Sequence, residues 1–430
     1  MNKHIRFIDL FAGIGGIRKG FEIACNRKGY TSECVFTSEI KPHAVEVLKQ
    51  NHPNEEIHGD ITHIEAKSIP NFDFLLGGFP CQAFSAAGKR LGFADTRGTL
   101  FFDVERILKE KKPYGFILEN VEGLVNHDKE NTKDEMGRTL EIILKHLEAL
   151  GYKVSWRVLN AKFFGVPQER KRIYIVGTLL EYPDILKFKH TTKVLGSSLE
   201  KGLVTEHSKF IDNLLSHYSV EDLAGKSIKD KRGGKNNIHS WDIEIKGAVS
   251  EVQKDLLNSM LKERRKKKWA EEYGIDWMDG MPLTLAQIQT FFEHPELENM
   301  LNDLVEKKYL RYEHPKKKVD GRRKPDTKLP KGYNIVAGKM SFEISKIMGD
   351  DDIAPTLVAM DMQHLYVIDG KGLRTLSLRE GLRLFGYPDD YKLNIEKNLG
   401  YDLLGNTVVV PVIAEVSERV LNIYEKDEKR

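Results

Sequence analysis

The chain has few cysteines and no uninterrupted run of 18 apolar residues, and both shortages restrict what it can be. Its three cysteines, Cys25, Cys34 and Cys81, cannot all pair with one another, so a free thiol in a reducing compartment is expected. The lack of a long apolar run argues against a membrane span. The apolar segment Ile5–Ile8 begins only four residues after the start of the sequence, which leaves no room for a secretory leader, so we expect none. These features predict a cytoplasmic protein.

Net charge is also low, at +3, so bulk charge does not indicate a polyanionic partner. The distribution is less even, with ten basic and three acidic residues in Arg311–Lys339 and six basic residues against one acid in Lys262–Lys268. Such runs are usually solvated faces or disordered loops, and phosphate contact is the alternative. Both explanations stay open at this point.

What is present is an ordinary globular composition, with 40% hydrophobic and 30% charged residues, in a chain long enough for two domains. The first 180 residues alternate short apolar runs with helical patterns such as Leu140–Ala149, which predicts β-α-β units and a mostly parallel sheet. The predicted strands are Ile5–Leu10, Cys34–Thr37, Phe74–Leu76, Gly115–Glu119, Lys153–Leu159 and Arg172–Gly177.

Beyond His190 the chain becomes rich in Lys, Asn and Gly, with few strand-like runs. A compact pattern resumes at Ile353–Ile368, and the apolar tail Val408–Tyr424 is expected to pack on the first domain. We therefore predict a catalytic and cofactor-binding domain from residues 1–190 and 395–430, and a smaller irregular domain from 191–394. The predicted helices of this region are Leu283–Tyr309 and Ser377–Phe385, and a helical and basic insertion is expected near 260–335.

An apolar strand breaks into the glycine-rich turn Phe11–Gly16, and a helix is predicted to begin near Ile17. Glycines permit a tight turn close to a ligand, and the helix N-terminus offers free N–H groups. Gly13 and Gly15 fit the first two positions of a dinucleotide fingerprint, but Arg18 occupies the third. A plain strand-to-helix connection explains this turn equally well.

Acidic residues follow the next two strands. Glu39 could accept both ribose hydroxyls, and Asp60 could accept from an adenine amino group, although each alone is more often a cap or turn residue. A glycine turn, Glu and Asp at three successive strand ends is the arrangement expected for an adenosine ligand. No lysine that could bind phosphate follows the glycines, which argues against a nucleoside triphosphate.

The strand Phe74–Leu76 runs into Gly77-Gly78-Phe79-Pro80-Cys81, which places a thiol on a stiff backbone at a strand end. Cysteine thiolates are strong nucleophiles, so we interpret Cys81 as a nucleophile and the other two cysteines as buried and inert.

Two further strand ends carry polar side chains. Glu119 follows an apolar strand, and residues two apart in an extended segment share a face, so Gln168, Arg170 and Arg172 should project together. A thiol, a carboxyl and guanidinium groups could thus meet on one planar heterocycle.

With these motifs, the sequence resembles the DNA (cytosine-5) methyltransferase family of the bacterial restriction–modification type. The resemblance is ordered and nearly end to end, although residues 191–350 correspond only to a variable region. The matching segments are Phe11–Gly16, Gly78–Gln82, Glu119–Val121, Gln168–Arg172, Arg379–Pro388 and Gly405–Val408.

The resemblance implies a Rossmann-like domain that binds S-adenosylmethionine, releases S-adenosylhomocysteine and needs no metal, plus a target-recognition domain. Cys81 would add to cytosine C6 while Glu119 protonates N3, and Arg170 and Arg172 would orient that carboxyl or bind the base oxygen. The implied cofactor residues are Phe11, Ala12, Gly13, Gly15, Gly16, Glu39, Ile40, Asp60, Ile61, Pro80, Leu100, Asn406 and Val408.

The resemblance also implies that the target cytosine is flipped out of double-stranded DNA, because C6 is inaccessible inside the helix. A mobile loop at Gln82–Phe101 would close on the DNA, and Thr356 would help to hold the flipped nucleotide. The implied DNA contacts are Gln82, Ser85, Lys89, Arg90, Arg97 and Thr356.

A monomer in the bacterial cytoplasm is expected, with no membrane contact and a possible cognate restriction endonuclease that forms no stable complex with it. Two other functions remain as alternatives, namely a transfer-RNA cytosine-C5 methyltransferase and a non-catalytic DNA-binding repressor. The intact Cys81, Glu119 and Arg172 argue against the repressor.

Overall fold

A computed structural model describes residues 4–79, 100–131, 133–230, 236–276, 280–319, 322–336 and 342–428. The chain divides into two compact units. The first unit comprises Met1–Glu200, Asp350–Gln363 and Leu376–Arg430, and the second comprises Lys201–Gly349 and His364–Thr375.

These boundaries differ from the predicted ones, because parts of 191–394 belong to the first unit. Backbone hydrogen bonds explain the difference. The amide of Ala354 donates to the Pro167 carbonyl at 2.9 Å, and the amide of Gly196 donates to the Asp350 carbonyl at 2.8 Å. The chain therefore returns to the first unit between its two passages through the second.

The first unit contains a seven-stranded sheet in the order β3-β2-β1-β4-β5-β7-β6. All neighbours are parallel except β7, which runs antiparallel to both β5 and β6. The strands are β1 (His4–Leu10), β2 (Thr31–Ser38), β3 (Ile57–His58), β4 (Phe74–Gly77), β5 (Gly115–Val121), β6 (Lys153–Asn160) and β7 (Lys171–Thr178).

The six strands predicted with bounds are confirmed. A strand end was also expected before Asp60, and β3 is that strand, although its two residues are too few for a hydrophobic period that would give its bounds. The central strands β1 and β4 are almost wholly buried, as expected for parallel strands covered on both faces. The helices that cover them from the first half of the chain are α1 (Gly16–Arg27), α2 (Pro42–Asn51), α3 (Leu100–Lys111) and α4 (Arg138–Ala149).

The second unit is richer in strands than its sequence suggested. Its sheets have the orders β16-β15-β14-β8-β9, β10-β13 and β11-β12. Its helices are α5 (Lys209–His217), α6 (Val220–Leu223), α7 (Glu251–Glu263), α8 (Lys268–Glu272), α9 (Leu285–Gln289) and α10 (Leu297–Glu306). Its strands are β8 (Ser227–Ile228), β9 (Asn237–Ile238), β10 (Leu310–Glu313), β11 (Lys316–Val319), β12 (Arg322–Pro325), β13 (Gly332–Ile335), β14 (Lys346–Met348), β15 (Leu365–Asp369) and β16 (Gly372–Thr375). The single helical pattern predicted at Leu283–Tyr309 is thus two helices, α9 and α10.

The C-terminal part of the chain completes the first unit with α11 (Leu378–Leu384), α12 (Lys397–Asn406) and α13 (Val410–Glu428). Helix α13 packs against α1 so closely that a Cβ on Gly20 would lie 2.5 Å from Ile413. The ring of Tyr424 also meets that of Phe74 in β4, at 5.5 Å between centroids. The prediction that the tail packs on the first domain is confirmed.

The segment Lys397–Lys426 is apolar and long enough to cross a membrane by composition alone, a feature that was not predicted from sequence. Its most apolar 18-residue window is 67% buried within the protein, as in a core helix.

Candidate active site

The glycine-rich turn joins β1 to α1 at the carboxyl end of the parallel sheet. Phe11, Gly13 and Gly15 all have positive φ angles, of 56°, 55° and 71°, so the backbone reverses sharply before α1 begins at Gly16. The turn is closed by the Gly15 amide, which donates to the Ala12 carbonyl at 2.7 Å. Glycine is the residue that adopts such angles without a steric penalty.

Glu39 lies beside this turn, at the end of β2. Its Oε2 accepts from the Gly13 amide at 2.7 Å, and its Oε1 accepts from the amides of Ile40 and Lys41 at 2.8 Å each. A carboxylate offers about four lone-pair sites, so this one still has acceptor capacity. The carboxylate expected to bind ribose is therefore fixed against the turn.

Asp60 caps a short 3-10 helix, Ile61–His63. One carboxylate oxygen, Oδ1, accepts from the amide and the hydroxyl of Thr62, at 3.0 and 2.8 Å. These hydrogen bonds lower the pKa of Asp60, so it is ionised at neutral pH. Ile61 is buried, whereas the side chain of Ile40 is 68% exposed next to Glu39. This edge of the sheet thus combines the hydrogen-bond acceptors of Glu39 and Asp60 with the exposed apolar side chain of Ile40.

The C-terminal residues assigned to the cofactor site take different positions. A Cβ on Gly16 would lie 2.8 Å from Val408 and 2.6 Å from the Tyr387 hydroxyl, so Val408 lies directly against the turn. The amide group of Asn406 instead donates to its own helix, at the Asp402 carbonyl. Leu100 and Phe101 both belong to α3, so these two residues are not part of the predicted loop Gln82–Phe101.

Asp9 is a residue of this edge that was not predicted from sequence. It lies in β1, two residues before the turn, and is fully buried. Neither of its carboxyl oxygens has a hydrogen-bond partner among the described residues. Burial raises the pKa of Asp9 to about 8, although Arg18 opposes the shift. An acid inside the apolar run Phe7–Leu10 is the signal that could have identified it.

Glu119 lies at the carboxyl end of β5, two strands from the glycine turn. Its Oε1 is 3.2 Å from the Arg172 Nε on the adjacent antiparallel strand, and the side chains are 12% and 15% exposed. Burial raises the pKa of Glu119, while Arg172 and then Arg170 oppose the rise. The net effect is a raised pKa, so a larger fraction of Glu119 is protonated at a given pH than for a glutamate in water.

The backbone that leads to Cys81 lies next to this carboxyl. A Cβ on Gly78 would be 3.7 Å from Glu119 Oε2. The side-chain amide of Asn120 donates to the Phe79 carbonyl at 3.1 Å, which ties the end of β5 to the segment after β4. The neighbouring strands therefore bring the acid close to Gly78, three residues before the predicted nucleophile.

Arg170 does not share the position of Arg172. It is buried, and its guanidinium donates to the carbonyls of Leu357, Gly405 and Thr407 at 2.9, 3.1 and 2.8 Å. Gln168 is also buried and donates to the Leu384 carbonyl. Gln168 and Arg170 both bond to Leu357, and Arg172 forms the ion pair with Glu119, while the charge of Arg170 also lowers the pKa of that carboxyl.

A cavity of about 420 Å³ opens in the first unit beside Arg172 and Thr356. The Thr356 hydroxyl donates to the Glu169 carbonyl at 2.6 Å, so this threonine is fixed at the wall. The other lining residues are Val121, Glu122, Gly123, Glu169 and Lys171. The cavity is polar and lies next to the buried acid.

Several predicted site residues lie outside the described residues, namely Pro80, Cys81, Gln82, Ser85, Lys89, Arg90 and Arg97. The other two cysteines are described. Burial raises the pKa of both Cys25 and Cys34 to about 12, which agrees with their interpretation as inert thiols. Among the described parts of the chain, no group of His, Cys, Asp and Glu could hold a metal ion.

A Rossmann-like sheet with a glycine turn and two acidic strand ends is the arrangement typical of α/β methyltransferases. Solved structures agree on the fold alone. The methyltransferase EhMeth of Entamoeba histolytica matches with a TM-score of 0.56 at 14% identity, over 98% of this chain and 99% of that one. The Dnmt2 methyltransferase of S. pombe matches with a TM-score of 0.54 at 17% identity, over 98% and 99%.

The family model of C-5 cytosine-specific DNA methylases matches residues 5–422. The chain is 66% identical over 421 residues to the Type II methyltransferase M.NlaIV of Neisseria lactamica, over 98% of this chain and 99% of that protein. It is 43% identical to M.BanI of Aneurinibacillus aneurinilyticus, over 96% of this chain and 95% of that protein. The chain belongs to the C-5 cytosine-specific DNA methylase family, which depends on S-adenosylmethionine, and it methylates cytosine in DNA at C5. The transfer-RNA and repressor alternatives are not favoured.

Proposed function

We propose that Cys81 is the nucleophile of this reaction and that Glu119 is the acid that assists it. The observation that carries the proposal is the Glu119–Arg172 ion pair, in which Oε1 and Nε are 3.2 Å apart and both side chains are nearly buried. The Glu119 carboxyl also lies beside Gly78, on the backbone that leads to Cys81. The Glu119–Arg172 pair and the polar cavity beside Arg172 support a binding site for one flat, polar ring.

In the proposed reaction the Cys81 thiolate adds to cytosine C6, and a bond forms between sulfur and carbon. Electron density moves toward N3, where the protonated Glu119 donates its proton or a hydrogen bond. Addition breaks the conjugation of the ring, so C5 becomes nucleophilic. Once C5 carries the methyl group, it loses its proton to a base, and the electron pair expels the Cys81 thiolate. Any proton given to N3 returns to the Glu119 carboxylate, which restores the acid.

Arg172 would hold the Glu119 carboxyl in one orientation and present its remaining N–H groups to the base oxygen. Arg170 would act as a positioning residue, since its two terminal nitrogens donate to three backbone carbonyls. This modifies the role expected for Arg170 from sequence. Thr356 would line the cavity that receives the flipped cytosine.

The turn and the two acids fit an adenosine ligand, so we propose that they hold S-adenosylmethionine. When bound, this cofactor supplies an electrophilic methyl group. Glu39 would accept from ribose hydroxyls, Asp60 would accept from the adenine amino group through its Oδ2, and Ile40 would cover the adenine face. The remaining proposed contacts are Phe11, Ala12, Gly13, Gly15, Gly16, Ile61, Pro80, Leu100 and Val408, and Asn406 would have to turn from Asp402 to take part.

We further propose that the substrate is double-stranded DNA and that the loop carrying Gln82, Ser85, Lys89, Arg90 and Arg97 contacts it around the flipped base. The second unit would contribute target recognition. The likeness to Type II methyltransferases supports a bacterial setting, which we propose to be cytoplasmic. Action as a monomer, and a cognate restriction endonuclease without a stable complex, are further parts of the proposal.

A covalent trap tests the nucleophile. The methylated sites are first mapped by sequencing DNA from cells that express the protein, and 5-fluorocytosine is then placed at one such site in a duplex. Because fluorine cannot leave as a proton does, the parent protein should form a stable adduct in the presence of S-adenosylmethionine. Cys81→Ser should form none, whereas the matched variant Cys34→Ser should trap DNA like the parent.

A second variant tests the acid. Glu119→Gln keeps the shape of the side chain but cannot give up a proton, so we expect kcat to fall by about 100-fold or more. A Cys81→Ser variant that still traps DNA, or a Glu119→Gln variant with parental kcat, would contradict the respective assignment.

A further inference from the structure

Residues 241–335 of the second unit form a lobe with its own hydrophobic core, which includes Trp241, Leu257, Leu301 and Tyr333. We call this segment the hairpin lobe. Helices α7, α9 and α10 are followed by β10, the hairpin of β11 and β12, and β13. No residue of this lobe takes part in the reaction described above.

The connectivity of the hairpin lobe matches a helix-turn-helix with a β-hairpin wing. Leu283, between α7 and α9, exchanges two backbone hydrogen bonds with Tyr333 at 2.9 and 2.7 Å. Because β13 also pairs with β10, β13 lies between Leu283 and β10 in this small sheet. The hairpin of β11 and β12, which connects β10 to β13 along the chain, is the wing. The second helix after Leu283, α10, takes the place of the helix that enters the DNA major groove in helix-turn-helix proteins.

Charge argues against α10 as the DNA contact. Residues 291–306 contain five acidic residues and no Lys or Arg. Glu298 and Glu306 lie on α10, so their carboxylates would be brought close to DNA phosphates if α10 entered the major groove. Residues 311–331 of the wing region contain nine basic residues and three acids. The two halves of the lobe therefore have opposite charge, and the wing is the half complementary to DNA.

The pairing within the wing points the same way. Lys317 lies directly opposite Lys324, and Lys318 lies directly opposite Arg323. Like charges in such cross-strand pairs destabilise a hairpin. All four residues of β12 are exposed, so burial of apolar surface does not compensate. These facing cations concentrate positive charge on an exposed ribbon, which is complementary to a polyanion.

The root of the wing is nevertheless fixed. The Asp326 amide donates to the Pro315 carbonyl at 2.7 Å, and the Asp326 carboxylate pairs with Lys317 at 3.0 Å. The His314 ring contacts the Leu329 carbonyl at 2.7 Å. The cations are thus presented on an ordered ribbon rather than on a loose chain.

We propose that the wing strands β11 and β12 bind the phosphodiester backbone of substrate DNA and that α10 does not read bases. The wing adds affinity that is independent of sequence. This proposal rests on the family's activity on DNA and not on the roles proposed for Cys81 and Glu119, so activity at saturating DNA reports on those roles separately.

The wing is tested by the triple variant Lys318→Gln, Arg322→Gln, Lys324→Gln, with KM for DNA measured over a range of salt concentrations. Three lost phosphate contacts should reduce the slope of log affinity against log salt by about 2–3 and raise KM about 10–100-fold at physiological salt. kcat at low salt and saturating DNA should be unchanged. Because the variant removes like-charge pairs, its melting temperature should not fall.

The matched control removes three exposed cations of the same lobe outside the wing, with Lys262→Gln, Lys266→Gln and Lys267→Gln. Its slope and KM should stay close to the parental values. An equal loss in both triple variants would mean diffuse attraction by the lobe, and an unchanged slope in the wing variant would mean no DNA contact. Either result overturns the proposal.

A last variant tests α10. Glu298→Gln with Asn299→Ala changes residues of its first turn, and the set of methylated sequences in cellular DNA should remain that of the parent. A changed set would mean that α10 reads bases, which would overturn the second part of the proposal.

Discussion

Replacing Asp9 by asparagine should stabilise the protein at neutral pH. In the folded chain the pKa of Asp9 is about 8, because both carboxyl oxygens are buried without a described partner. In the unfolded chain its pKa is that of an ordinary aspartate, 3.8. Between these values the folded state holds a proton that the unfolded state has released. Stability therefore falls as the pH rises from about 4 to about 8.

The size of the effect follows from the gap between the two pKa values. At pH 7 the gap spans roughly three pH units, and about 1.36 kcal/mol per unit gives on the order of 4 kcal/mol of lost stability. The asparagine side chain does not titrate, but its buried amide needs hydrogen bonds of its own, at a cost of about 1–3 kcal/mol. We therefore expect a net gain of roughly 1–3 kcal/mol for Asp9→Asn at this pH.

Urea denaturation at a series of pH values measures this directly. The parent should lose stability steadily from pH 4 to pH 8, and Asp9→Asn should show a much flatter profile with a higher midpoint at pH 7. Asp389→Asn is the matched control, because Arg383 lowers the pKa of that exposed carboxyl. The pH dependence of stability from Asp389 is therefore opposite in sign, since its contribution is lost as the pH falls. A flat parental profile, or an Asp9→Asn variant less stable than the parent at pH 7, would be incompatible with a buried, neutral Asp9.

Three other changes have defined outcomes. Arg172→Gln removes a cation that lowers the pKa of Glu119, so the alkaline limb of the kcat–pH profile should move up by about 1–3 units, if protonated Glu119 is the acid. Gly16→Ala would bring a methyl group within 2.6–2.8 Å of three side-chain atoms, and should lower stability by about 1–3 kcal/mol in thermal melts. Arg18→Met breaks the ion pairs with Glu22 and Glu55, and should lower the urea midpoint by the equivalent of roughly 2–3 kcal/mol. An unchanged profile, melt or midpoint would contradict the corresponding argument.

The sheet and its cofactor edge were predictable because each depends on a local signal. A buried parallel strand is a short apolar run, and the residue that follows it lies at the carboxyl edge, so Glu39, Asp60 and Glu119 could be placed from sequence alone. The partner of Glu119 could also be anticipated, since Arg172 lies at the start of a predicted apolar strand, which is β7 and pairs with β5.

Other features depend on contacts between distant segments, which no local pattern contains. The hydrogen bonds of the Arg170 guanidinium to the carbonyls of residues 357, 405 and 407 could not be foreseen. The strand order of the hairpin lobe depends on a single bridge between Leu283 and Tyr333. The wing itself was visible only as a basic stretch, because charge does not specify strand pairing.

The packing of α1 against α13 has a consequence for how the protein is made. The two helices are separated by more than 380 residues of chain, so α1 leaves the ribosome long before its partner exists. At about 5–20 residues per second, the apolar face of α1 waits roughly 20–80 seconds. During that interval Gly20 and the neighbouring glycine turn have no covering helix, and Val408 has not been synthesised. Cofactor binding, and with it methylation, should therefore begin only after Val408 and Ile413 are in place, so a chain that ends before them should be inactive.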